Sequence, residues 1–166
     1  MISKIRYYLD EACLLKMYYS FIQSHVNYNI LNWSCTHKSH LKPIETKLKK
    51  AIRTISFSKT KYDHTSPLFK KHAILPFPEL VFLKKVSLMW QVTHGYAPLP
   101  FCKLFKRNQH NPLRFVLPQV KKEHDKLLFV YSSITSWNTL TDSLKGTTTL
   151  SSFKEKCRKH LFENIV

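Results

Sequence analysis

The sequence predicts a mainly α fold, a helical bundle followed by a small C-terminal unit with a short β-hairpin and a terminal helix. Three observations predict it. Apolar residues recur at helical spacing over residues 14–28, 41–55 and 81–92, the period of helices with a buried face. Serine and proline punctuate those stretches where helices begin and stop. Only two glycines, Gly95 and Gly146, occur in 166 residues. That excludes a P-loop or dinucleotide fingerprint, which needs glycines for tight turns and close phosphate approach, and it argues against a parallel α/β sheet.

The first helix carries "MYYSFIQSHVNYNILNW", residues 17–33, without a single charge. Leu14, Met17, Tyr18, Phe21, Ile22, His25 and Tyr28 share one broad face, so this helix is expected at the centre of the core, with His25 a satisfied core histidine. Asp10 and Glu11 suit the positive end of its dipole. A second helix is expected from about Ser39 to Ile55, with Leu41, Ile44, Leu48, Ala51, Ile52 and Ile55 facing inward. Lys42, Lys49 and Arg53 form a stripe beside that face, flanked by Lys47 and Lys50.

Ser66 reads as an N-cap with Pro67 at the first helical position, and Pro76 ends that short helix. Pro78 opens the next, whose core face includes Val81, Phe82, Leu88, Met89 and Val92, with Gly95 as its C-terminal cap. "APLPFCKLF" adds a turn of helix. "LRFVL" and "KLLFV" read as a short antiparallel pair. "SSITSWNTL" follows as a brief helix or turn, and the last helix starts near Ser152 with Ser152 and Glu155 as a capping box. Residues 1–100 form the larger helical unit and 101–166 the smaller one.

Charge separates the functional classes. Against 27 Lys and Arg stand 10 Asp and Glu, a formal net charge of +17, and such a field attracts a polyanionic partner. Hydrophobic residues at 43% and aromatics at 13% give the chain a folded body rather than a disordered basic tail. Between Ala12 and Tyr62 nine basic residues face one acid, Glu45. That imbalance favours phosphate contact over a merely solvated face. No run of 18 apolar residues predicts a membrane span. The four cysteines lack a C-x-x-C pair, which with the charged N-terminus points to reduced thiols in the nucleus or cytoplasm rather than secretion.

Catalytic and metal motifs are weak. "YLDE", Tyr8 to Glu11, imitates the Tyr-x-Asp-Asp turn of polymerases, but its acids open a helix and no third carboxylate lies near. Cys35, His37 and His40 lack the second ligand pair of a structural zinc site. No metal, cofactor or small-molecule substrate is expected. Trp33, Trp90 and Trp137 read as core anchors, and Trp137–Asn138 is the most pointed pair, because a buried indole N–H and an amide both need partners.

"LLKMYYSFIQSHVNYNILNWSCTHKSHLKPIETKLKKAIRTI" resembles the region after the catalytic palm in reverse transcriptases of non-LTR (LINE-type) retrotransposons. The likeness rests on Leu14, Tyr18, Tyr19, Ser20, Ile22, Ser24, His25, Tyr28, Trp33, Lys50, Ala51, Arg53 and Ile55, in that order. "SPLFKKHAILPFPELVFLKKVSLMWQVTHGYAPLP" and "SSITSWNTLTDSLKGTTTLSSFKEKCRKHLFEN" resemble the next two blocks, so nearly the whole chain is covered. Asn29 and Ser34 stand where that family has glycines, and Thr141 where it has a proline.

The resemblance implies a thumb and C-terminal region that grips the backbone of an RNA or RNA–DNA duplex. Polymerisation itself would belong to a palm outside these residues. Lys42, Lys47, Lys49, Lys50 and Arg53 would hold the nucleic acid, assisted by Lys84 and Lys85. A second reading, drawn from the aromatic content and the missing turn residues, is a host-retained helical scaffold for protein partners. A third is a retroelement remnant without selected function.

Overall fold

A computed structural model describes residues 2–58 and 64–165. The chain is mainly helical, with no strand among the described residues. Its helices are α1 (Ile2–Ile5), α2 (Glu11–Met17), α3 (Ser24–Asn27), α4 (Ile30–Trp33), α5 (Lys38–Ile55), α6 (Ser66–Lys71) and α7 (Phe77–Thr93), followed by α8 (Leu99–Cys102), α9 (Phe129–Asn138), α10 (Asp142–Lys145) and α11 (Leu150–Glu163). A π-helical stretch, Tyr18–Gln23, joins α2 to α3, and a 3₁₀ turn, Glu123–Leu127, precedes α9.

The centre of the core is α7, not the aromatic first helix. Phe77, Leu80, Val81, Leu83, Val86, Ser87, Met89, Trp90 and Val92 are all buried, so α7 is covered on nearly every side. Helices α4, α9 and α11 pack on it. In the opening stretch only Leu14, Tyr18 and Ile30 reach the interior, while Tyr19, Phe21, His25 and Tyr28 are exposed. The π-helical insertion explains part of this correction. It changes the period from 3.6 residues per turn, so an inward stripe drawn at α-helical spacing does not hold through Tyr18–Gln23.

An aromatic chain carries the core from α7 into the C-terminal residues. Trp90 lies 6.2 Å from Phe153, which lies 6.0 Å from Trp137, which meets Phe115 edge-on at 6.4 Å. Such pairs add about 0.5–1.5 kcal/mol each beyond area burial.

The hairpin expected from "LRFVL" and "KLLFV" does not form. Phe115 instead makes an isolated antiparallel bridge to Arg107, while 127–130 span the end of the 3₁₀ turn and the start of α9. The backbone around Phe115 finds its partners in Trp137 and Asn138. The indole N–H donates to Leu113 O at 2.9 Å, and the Asn138 side chain accepts from Phe115 N at 3.1 Å and donates to Phe115 O at 2.9 Å. One amide thus satisfies both backbone groups, as a neighbouring strand would.

Two expected caps shift. Helix α6 starts at Ser66 behind Thr65, with no side-chain cap bond. The cap of α11 is Thr149, whose Oγ1 accepts from Ser152 N at 3.3 Å, while Glu155 pairs with Lys159 at 2.9 Å instead. Asp10 caps α2 as the sequence suggested, accepting from Cys13 N at 2.8 Å. Hydrogen bonding from Cys13, its side chain first and this backbone N–H second, holds the Asp10 carboxyl below its usual range.

Helices α5, α6 and α7 end alike, with a left-handed residue just past the cap and paired backbone bonds closing back into the last turn: Ser58 N to Arg53 O at 3.1 Å, Ile74 N to Phe69 O at 3.0 Å and Tyr96 N to Gln91 O at 2.9 Å. Only α7 has glycine there, at φ +75°. Phe57 (φ +51°) and Ala73 (φ +52°) occupy the same conformation at a steric cost of roughly 1–2 kcal/mol each. Asn29, at φ +49°, is the residue type that best tolerates this region after glycine, whereas Ser34, at φ −78°, needs no glycine. Ala73→Gly should therefore stabilise the protein, by about 1 kcal/mol and a few degrees in Tm after the entropy of the unfolded chain is counted. Urea unfolding of the pair measures it, and a loss of stability would contradict the strain.

Candidate nucleic-acid interface

Helix α5 presents the cations. Leu48, Ile52 and Ile55 are buried, and Leu41, Ile44 and Ala51 pack partly against the core. Taking Leu48 as the inward direction and about 100° per residue, Lys49, Lys42 and Arg53 fall on one flank of the helix with Lys38 beside them. Lys50 falls on the outer face and Lys47 on the opposite flank. Lys42, Lys47, Lys49 and Lys50 are exposed, Arg53 half-buried. None of the four lysines meets a carboxylate among the described residues. Lys59 and Lys61, counted among the nine cations of this region, lie outside them.

The two flanks border different ground. Lys49 lines a cleft of about 260 Å³ with Glu45, Ser66, Glu79 and Asn164. Lys47 and Lys50 edge a groove of about 320 Å³ floored by Met17, Phe21, Ile22 and Ala51.

Lys84 and Lys85 of α7 diverge. Burial lowers the pKa of both, so each holds its proton less firmly than a surface lysine. Lys84 is further pressed by Lys154 and Arg158 of α11. Lys85 turns to the other side, near Cys35, which opposes the effect of burial. Lys154 and Arg158 are thus a basic pair that joins Lys84 and that the sequence argument left unassigned. Their i, i+4 spacing was the available signal, but nothing in the sequence placed α11 against α7.

Ser56, His72 and Glu11 gather with the composition of a hydrolase triad but not its geometry. Ser56 Oγ lies 2.7 Å and Glu11 Oε1 3.2 Å from the same ring nitrogen, Nε2. A relay needs the hydroxyl and the orienting acid on opposite nitrogens. Glu11 also accepts from Lys71 Nζ at 2.6 Å. The cluster therefore ties α2 to α6 and to the end of α5. Cys35, whose thiol donates to Leu31 O at 3.0 Å, and the exposed His37 and His40 stand apart from it.

The His72 side chain is 3% exposed. Burial lowers its pKa; Glu11 opposes this and Lys71 reinforces it. With the folded value below the unfolded one of about 6.5, the folded state binds fewer protons. Stability contributed here is complete above that pH and is lost as pH falls through it. Denaturant midpoints measured from pH 7.5 to 5 should decline more steeply for the native chain than for His72→Gln. Parallel curves would show that His72 is not the group responsible.

No helix among the described residues is long and apolar enough to cross a membrane. Compared with models of known protein families, with curated proteins and with solved structures, the chain has no match.

Proposed function

We propose that this chain holds a template–primer duplex, RNA or RNA–DNA, by its phosphate backbone, as the thumb and C-terminal part of a non-LTR retrotransposon reverse transcriptase. The observation that carries the reading is the run of exposed lysines around α5, unpaired with acids among the described residues. A long helix whose apolar side is committed to the core and whose other sides carry cations suits a smooth anionic surface better than a pocketed partner. The ordered sequence likeness supplies the retroelement part of the reading. No polymerase chemistry is assigned to these residues, because in that family it belongs to the palm.

The two flanks of α5 diverge enough that one duplex should lean on the Lys42–Lys49–Arg53 side, where three cations align along the axis. Binding of a labelled RNA–DNA hybrid, followed by anisotropy between about 50 and 200 mM salt, should weaken linearly on a log–log plot. Reversing Lys42, Lys49 and Arg53 to Glu should flatten that slope by roughly one per lost phosphate contact. Lys47→Glu with Lys50→Glu should flatten it less. Binding indifferent to salt and to both sets of substitutions would defeat the proposal.

A further inference from the structure

The end of α7 and the start of α11 enclose a notch of about 300 Å³, lined by Trp90, Gln91, Tyr96, Thr148, Thr149 and Leu150. Its floor is built rigidly. Trp90 is buried, and its indole N–H donates to Thr147 O at 3.2 Å. His94 stacks on that indole at 3.9 Å. Tyr96 lies parallel to it, 5.7 Å away and tilted by 6°, yet remains 72% exposed. The left-handed turn at Gly95 and the bond from Tyr96 N to Gln91 O fix the tyrosine backbone. Gln91 and Thr148 bring side-chain amide and hydroxyl groups that have no hydrogen-bond partner among the described residues.

Cations continue the same seam. Leu150 lines the notch, and Lys154 and Arg158 follow it at i+4 and i+8 on one face of α11, about 6 and 12 Å along the axis. Gln91 lines the notch from α7, and Lys84 stands two turns back, about 10 Å away on the same face. Because Lys84 is close enough to feel Lys154 and Arg158, the two helices run antiparallel here and the three cations stand together beside the notch. The acid nearest in sequence, Glu155, is committed to Lys159. At about 3.4 Å per stacked nucleotide, offsets of 6–12 Å correspond to roughly two to four nucleotides.

We infer that the α7–α11 seam binds unpaired nucleotides of a single strand, with a base on Tyr96, its edge met by Gln91 and Thr148, and the adjoining phosphates on Lys84, Lys154 and Arg158. An exposed aromatic face next to a line of cations is the chemistry that single strands use and duplexes cannot, because paired bases hide their faces. The inference rests on the nucleic-acid reading above and extends it from paired to unpaired strand.

The test compares three hybrids: blunt, carrying a tail of about four nucleotides at the low end of single-strand site sizes, and carrying the same tail without bases. RNA and DNA tails are measured separately. The base-bearing tail should bind at least about fivefold tighter than the abasic one. Tyr96→Ala should erase that difference, and Tyr96→Phe should keep it. Lys154→Glu with Arg158→Glu should weaken both tails alike. An unchanged far-UV circular dichroism spectrum and a cooperative urea transition in each variant show that the fold has survived. Equal binding of base-bearing and abasic tails, or a difference that survives Tyr96→Ala, overturns the inference while leaving duplex binding intact. Loss of every salt-dependent nucleic-acid signal defeats both readings. Tyr96-dependent capture of a poly-glutamate peptide in preference to the tailed hybrid overturns this one in favour of a protein partner.

Discussion

Everything in this fold answers to one constraint, the burial of α7 on nearly every side. A 17-residue helix with nine buried side chains has no broad solvent face, so the rest of the chain must wrap it, leaving half-buried positions such as Lys84 and Gln91 at the gaps. The aromatic ladder from Trp90 through Phe153 and Trp137 to Phe115 is how the C-terminal residues do so. Truncating one of those rings would cost about 3–5 kcal/mol, a large share of the stability of any single domain. The clamp of Asn138 on Phe115 matters for the same reason. It gives an irregular segment the hydrogen bonds it needs to lie against a dry core.

Acids are scarce, and the structure shows where several of them go. Glu11 holds Lys71 and lies beside His72, Asp142 holds the buried Lys145 at 3.0 Å, Glu123 holds Lys126, and Glu155 holds Lys159. Asp10 is used as a cap. With those carboxylates so committed, Lys42, Lys47, Lys49 and Lys50 of α5 and Lys154 and Arg158 of α11 have no paired acid among the described residues. Those exposed cations in rows along single helices are an arrangement that suits an extended anionic partner.

Much of the helix pattern was legible from periodicity: α5 within one residue at its start, α7 from its prolines to Gly95, and α11 as the closing helix. Three features were not. The π-helical turn at Tyr18–Gln23 breaks the very period by which an inward face is recognised, so the most aromatic stretch looked most central. The Phe115 segment reads like a strand, but only Phe115 in it is buried while Val116 and Leu117 are exposed, and its hydrogen-bond partner is a side chain, which no strand pattern encodes. Thr149 caps α11 three residues before the box suggested by Ser152 and Glu155, since an acid four residues ahead of Lys159 has a competing partner. At the candidate interface the α5 cations were readable as a stripe on one helix. The Lys84–Lys154–Arg158 group was not, because it requires knowing which helices touch.

Those two cationic surfaces are tied to the same pillar by different means. Helix α5 joins the core through its own apolar stripe and through the His72 cluster beyond its end. The α7–α11 seam is backed by Trp90 and Phe153, both essentially without solvent exposure, and α11 is held to it through Phe153 and Cys157. A duplex backbone tolerates small displacements, since attraction between charges falls off slowly with distance. Stacking on a ring tolerates less, since a gap of about 0.5–1 Å already forfeits roughly a quarter to a half of the dispersion attraction. On the proposed reading, the α5 cations need only lie along a backbone, whereas the Tyr96 surface must be in place when a strand arrives. The turn at Gly95 and the bond from Tyr96 N to Gln91 O hold it there.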